Sequence, residues 1–339
     1  MNLKQKDRKG ISKRRRRRRN LVKLYLAVFV LSVCFLSVLA LKEKTKPEDR
    51  EDNLITSLAN IDSSIPEAEK LSDGSLDLQN LTSKDAMLSE LTSGIAIGEK
   101  NSQDRVYPAS LTKIMTAILA IEHTPDMNQT MTLPSDIFPD LYAQNASMAG
   151  FQPGEEVRFE DLLYGVLLPS GAECCLGFSD YIAGSESAFV DLMNEKAKEL
   201  GMRNTHFCNS TGLHDEDHYT TVEDMSILLR YALKNEEFRT VFTSTSHSTQ
   251  PTNQNPQGIT FQSTMFKNLE DSRVTNGEIL GGKTGYTQEA GLCLASLALV
   301  NNKEYILVTA GAGGTHQTRQ FNILDAVNVY SQIGNLDGK

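Results

Sequence analysis

The tightest constraint in this sequence is a serine and a lysine three residues apart at the head of an apolar helix. In Pro108-Ala109-Ser110-Leu111-Thr112-Lys113-Ile114-Met115 and the residues after it, Leu111, Ile114, Met115, Ile118 and Leu119 follow the i, i+3, i+4, i+7, i+8 spacing of a helix with one face in a core. Pro108 discourages an earlier start, so Ser110 falls in the first turn. Three residues on, the Lys113 amine lies beside the serine hydroxyl. A serine is a poor nucleophile until a base takes its proton, and lysine can be that base only when uncharged. Burial or a second nearby cation provides this by penalising the ammonium. The helix N-terminus adds free N–H groups suited to a developing oxyanion. Taken alone, Ser-x-x-Lys also fits a capping serine and a solvated lysine.

Two further stretches change the weight of the first. Lys283-Thr284-Gly285 lies in Leu280-Gly281-Gly282-Lys283-Thr284-Gly285-Tyr286-Thr287, ahead of the strand-like run Gly291 to Val300. Between them stands Leu167-Leu168-Pro169-Ser170-Gly171-Ala172. Ser-x-x-Lys, a second serine motif and Lys-Thr-Gly, in that order, are the motif set of penicillin-binding proteins and class A β-lactamases. From about residue 80 to the mid-330s the chain resembles the low-molecular-mass penicillin-binding proteins, the serine-type D-alanyl-D-alanine carboxypeptidases. The stretches Asn194 to Phe207 and Thr211-Gly212-Leu213 are similar to that family rather than to the β-lactamases. The third position of the middle motif is usually Asn there; here it is Ala172.

The chain carries a net charge of -9, unevenly spread. Residues 1–23 hold twelve Lys or Arg and one Asp, so +11, which leaves -20 for the rest. The unbroken basic run Lys13 to Arg19 suits a nucleic-acid arm, but the uncharged run Leu24 to Leu41 comes next, at the length of a membrane span. The basic residues then read as a cytoplasmic flank, with no nucleic-acid partner expected. Length favours an uncleaved single-pass anchor in the cell membrane, and Val38-Leu39-Ala40 also suits cleavage and secretion. Either way, the residues after 41 are expected outside the cytoplasm. Residues 42–78 are rich in Lys, Glu, Asp, Ser and Pro, and no aromatic residue occurs between Phe35 and Tyr107; this composition predicts a flexible linker.

The domain plan is therefore 1–23 basic segment, 24–41 transmembrane anchor or signal, 42–78 linker and 79–337 catalytic domain. Within the last, Ala86 to Leu91 and Ile95 to Ile97 predict a strand pair, leading into the Ser110 helix. Helices are expected at Phe159 to Leu168, through Cys174 and Cys175, at Ala188 to Leu200 closed by Gly201, and at Thr221 to Leu233. Thr243 to Gln262, rich in Ser, Thr, Asn and Gln, is expected to loop over the surface. Leu292 to Val300, Asn301-Asn302 and Tyr305 to Ala310 predict a hairpin. Gln317 to Ile333 predicts a closing helix with Phe321, Leu324, Val327 and Tyr330 inward. Strands, then helices, then strands make an α+β class. The resemblance specifies an antiparallel sheet flanked by a helical block.

His214-Asp215-Glu216-Asp217-His218 near His206 has zinc-ligand residue types, but no helical His-Glu-x-x-His. A structural role for His206 and no metal or cofactor are expected. The cysteines at 174, 175, 208 and 293 are expected as buried thiols, with a bridge from Cys208 to Cys174 or Cys175 left open.

The resemblance implies a carboxypeptidase that removes the terminal D-alanine from peptidoglycan stem pentapeptides through an acyl-enzyme and is acylated by β-lactams. It gives catalytic roles to Ser110, Lys113 and Ser170, and substrate-binding roles to Lys283, Thr284, Gly285 and Tyr286. Ser110 would attack, Lys113 would accept its proton, and Ser170 would relay one to the leaving amine. The N–H groups of Ser110 and Tyr286 would hold the oxyanion, with Lys283 and Thr284 on the substrate carboxylate. Lys283 would also help to keep Lys113 neutral. Ala172 motivates a second reading, a weakly active or non-catalytic cell-wall sensor. No Glu-x-x-Leu-Asn run supports a β-lactamase.

Overall fold

The computed structural model describes residues 76–336. The expected basic segment, the anchor Leu24 to Leu41 and nearly all of the linker lie outside the described residues. Among the described residues, no helix is long and apolar enough to cross a membrane.

The chain enters as β1 (Asp85–Glu90) and β2 (Ala96–Lys100) and turns into α1 (Lys113–His123). A small sheet of β3 (Thr130–Thr132) and β4 (Glu156–Arg158) brackets α2 (Phe138–Ala143). The helical block continues with α3 (Phe159–Leu167), α4 (Ala172–Ala183), α5 (Glu186–Leu200), α6 (Val222–Ala232) and α7 (Glu236–Phe242). Next come β5 (Ser246–Ser248) and β6 (Thr260–Gln262), then β7 (Arg273–Val274), β8 (Gly277–Thr287), β9 (Gly291–Val300) and β10 (Lys303–Ala312), and last α8 (Phe321–Leu336).

The main sheet has the order β2-β1-β10-β9-β8-β7, with every neighbouring pair antiparallel. It is buried on both faces, so its central strands read as continuous apolar runs rather than alternating ones. Along β9, Cys293, Ala295 and Leu297 join the core of the helical block. Their neighbours Leu294, Ala298 and Val300 join a second core under α8. This arrangement is the expected α+β antiparallel sheet with a helical block. The β9–β10 turn uses Asn301 and Asn302 at φ 50° and 59°, as a tight hairpin turn requires.

Helix caps reflect the local chemistry. Thr221 caps α6 by accepting from Asp224 N, and Gly201 ends α5 at φ 80°. Three expectations are corrected. First, α1 is not buried on one face alone: every residue from Lys113 to Ala120 is buried. Secondly, Thr243 to Gln262 is not only surface loop. β5 and β6 pair there, His247 Nε2 donates to Asp161 Oδ1 at 2.7 Å, and its ring stacks on Tyr164 at 3.7 Å. Finally, the inward stripe of α8 is Ile323, Ala326, Val329, Tyr330 and Ile333, whereas Leu324 is exposed. Only Tyr330 of the expected set is fully buried.

Candidate active site

A tight 3-10 turn, Ala109–Thr112, runs directly into α1 and carries Ser110 to the helix mouth. The preceding Ala109 adopts φ 45°, an unusual conformation for a residue with a side chain. One turn later Lys113 Nζ donates to Ser110 Oγ at 3.2 Å and to the Thr211 carbonyl at 2.5 Å. Lys113 is buried, and burial is the leading reason that its pKa falls below the ordinary lysine value.

The middle motif comes from the α3–α4 junction. Ser170 sits at φ 70°, and its hydroxyl accepts from Lys283 Nζ at 3.0 Å. A backbone held in this region costs free energy and persists where the surroundings fix it. Lys283, wholly buried on β8, donates also to the Thr284 carbonyl at 2.8 Å. Its pKa lies well below that of a free lysine, first through burial and then through the Lys113 charge. Burial is the leading cause for both amines.

Gly285 brings β8 against the nucleophile. A Cβ placed there would meet Ser110 N at 3.1 Å and the Pro108 carbonyl at 3.2 Å. Around Ser110 lie two clefts, of about 440 and 280 Å³. Lys113, Ala172 and Thr211 line the larger; Ser170, Thr264 and Thr284 line the smaller. Ser110 and Tyr286 line both. The structure therefore brings Ser110, Lys113, Ser170, Lys283, Thr284, Gly285 and Tyr286 together. Thr284 Oγ1 is also hydrogen-bonded to Thr264 Oγ1 at 2.6 Å.

A family model for D-alanyl-D-alanine carboxypeptidases matches residues 72–314. The chain belongs to this family. Among the family's members, DacF of Bacillus subtilis is 36% identical over 231 residues, covering 68% of this chain and 57% of that protein. DacC of Escherichia coli is 34% identical over 148 residues, 42% of this chain and 37% of that protein. The chain thus spans little more than half the length of the first and less of the second. The solved Streptomyces K15 DD-transpeptidase shares the fold, with a TM-score of 0.67 at 24% identity, covering 74% of this chain and 97% of that one.

Several neighbours of the carboxypeptidase-family motifs carry no linear signal. The Thr211 carbonyl that holds Lys113 sits in a loop stapled by Asn209, whose Oδ1 accepts from Gly212 N at 2.7 Å. Thr116 Oγ1 donates to the Ser210 carbonyl at 2.6 Å, fixing the same loop to α1. His218 Nε2 meets Thr112 Oγ1 at 2.8 Å, and its Nδ1 accepts from Cys208 N at 2.9 Å. His206 Nδ1 meets the Asp217 carbonyl at 2.7 Å. Among the described residues, no three His, Cys, Asp or Glu side chains converge to hold a metal. Cys174, Cys175 and Cys293 are buried free thiols and Cys208 is a half-buried one, so the Cys208 bridge left open by the sequence is not formed.

Proposed function

We propose that this chain is a serine-type D-alanyl-D-alanine carboxypeptidase acting on peptidoglycan stem pentapeptides. The observation that carries the reading is a half-buried serine hydroxyl 3.2 Å from a buried amine of lowered pKa, set between two clefts. The Ser110 Oγ–H proton passes to Lys113 as Oγ bonds to the carbonyl carbon between the terminal D-alanines. Charge that develops on the carbonyl oxygen is met by the N–H groups of Ser110 and Tyr286. The peptide C–N bond then breaks, and Ser170 relays the proton taken up by Lys113 to the departing amine, giving up its own and accepting that one in turn. Lys283 and Thr284 hold the free carboxylate, whose negative charge favours the protonated Lys283. Water cleaves the acyl-enzyme and restores Ser110. A β-lactam acylates the same oxygen.

The reading extends to Leu24–Leu41 as a single-pass membrane anchor, with the catalytic domain outside the cytoplasm and the basic residues before it inside. One experiment tests both parts. Cells expressing the full chain or Ser110→Ala are fractionated, and D-alanine release from a pentapeptide and labelling by fluorescent penicillin are measured in each fraction. Release and labelling in the membrane fraction, both lost in Ser110→Ala, are expected. Equal release by the two proteins defeats the mechanism. Labelling without release favours the sensor reading, and activity in the soluble fraction removes the anchor.

A further inference from the structure

The wall of the larger cleft opposite β8 is made by the loop after α2 and by the start of α4. The start of α4 contributes Ala172, buried, whose methyl group offers no hydrogen bond. The loop contributes Gln144, Asn145, Ala146 and Ser147. A peptide lying between this wall and strand β8 needs partners for its own amide groups, because a buried unpaired amide costs free energy.

Asn145, exposed at this wall, is placed to provide one. It lines the same cleft as Ser110, Lys113 and Ala172. Its carboxamide has no hydrogen-bonding partner among the described residues, although its backbone N–H donates to the Tyr142 carbonyl at 3.1 Å. Gln144 is also without a side-chain partner, but it is shared with a second cavity. The loop that carries Asn145 is not free to drift. Ala172 N donates to the Ser147 carbonyl at 2.8 Å, and the buried Glu173 carboxyl accepts from Gly150 N at 2.8 Å. Those two bonds tie the loop to the very turn that presents Ala172. A competing explanation is local. Asn145 adopts φ 50° just past α2, where asparagine is often chosen for the backbone alone.

We propose that Asn145 is a substrate-positioning residue whose side-chain amide donates to a backbone carbonyl of the bound peptide, filling the polar role that Ala172 leaves empty. The proposal rests on the carboxypeptidase reading and adds a residue to it.

The test separates the amide from the backbone. Asn145→Gly keeps the left-handed conformation and removes the amide. Asn145→Asp keeps the shape and removes the N–H donor. Ala172→Asn returns an amide to the neighbouring wall. D-alanine release, kcat and KM are measured for these variants on the full chain, beside the thermal midpoint and Ser110→Ala. Asn145→Gly and Asn145→Asp are expected to lower kcat/KM about 10- to 100-fold with the midpoint little changed. Ala172→Asn is expected to restore most of the loss in the Asn145→Gly background and to raise kcat/KM by a larger factor there than in the parent. Parent-like kcat/KM in Asn145→Gly and Asn145→Asp overturns the proposal and leaves Asn145 a backbone residue. So does an equal effect of Ala172→Asn in both backgrounds. Should Asn145→Gly not fold, Asn145→Asp with and without Ala172→Asn decides by the same criteria. If instead parent and Ser110→Ala release D-alanine equally, it is the carboxypeptidase reading that fails.

Discussion

His218 sits behind the nucleophile rather than beside it. Its Nδ1 accepts from Cys208 N, so the proton is on Nε2 and is donated to Thr112 Oγ1, which donates in turn to the Ala109 carbonyl. The neutral ring thus fixes the turn that presents Ser110, and burial pulls its pKa from 6.5 down to about 4. Above pH 6.5 the ring is neutral in both folded and unfolded chains. As pH falls the unfolded chain binds the proton first, so the stability that His218 contributes is lost between 6.5 and about 4. Asp85 acts in the opposite sense: burial raises its pKa to about 6, so its contribution is full at low pH and is lost as pH rises through that value. The two oppose each other in the parent protein. The difference in unfolding free energy between parent and His218→Gln isolates the histidine. That difference is expected to shrink by about 3 kcal/mol from pH 7 to pH 4 in denaturant titrations. A difference that stays constant would contradict the neutral-ring arrangement. The Ser110–Lys113 spacing was legible in the sequence because one continuous run, the 3-10 turn and the start of α1, carries both ends. The His218–Thr112 bond was not, because it joins positions 106 residues apart, and no local pattern records such a meeting.

Elements were legible where periodicity was long and uniform, and lost where it was short or doubled. The three-residue strands β5 and β6 alternate too briefly to show in a Ser- and Thr-rich stretch. Helix α8 carries apolar residues on two stripes, and the sheet selects the one with Tyr330 and Ile333. The Ser210–Leu213 loop is the opposite case, a segment of no regular pattern that is geometrically strict. Gly212 has φ 79°, and a Cβ there would stand 1.9 Å from the Ala109 carbonyl oxygen. Both strain and overlap therefore oppose a side chain, and backbone against backbone cannot yield cheaply. Moving the loop would take the Thr211 carbonyl away from Lys113 and disturb the turn before Ser110. Gly212→Ala is expected to lose about 1–3 kcal/mol of stability and to slow penicillin acylation at temperatures where it remains folded. Thermal melts and labelling kinetics check it, and unchanged values in both would mean that the loop is free to move aside.

At the scale of residues 76–336, the sheet separates two cores with different duties. The helical block on one face presents Ser110, Lys113 and Ser170, and β8 delivers Lys283 to the same side. The other face, closed by α8, has no residue in the site's hydrogen-bond network. Tyr330 is its largest fully buried side chain. Its hydroxyl donates to the Ser296 carbonyl at 3.1 Å and lies 3.0 Å from Ser296 Oγ. Tyr330→Ala would remove a ring and both contacts, at a cost of about 3–5 kcal/mol. That is a large part of the roughly 5–15 kcal/mol that holds a typical domain folded. Because the loss falls across the sheet from the nucleophile, the thermal midpoint is expected to drop sharply. The rate of acylation by fluorescent penicillin, measured well below that midpoint, is expected to stay within about twofold of the parent, as for independent distant sites. A rate that falls together with stability would instead show that β9 transmits packing on its far face to the geometry of Ser110 and Lys283, and the division of duties between the two cores would not hold.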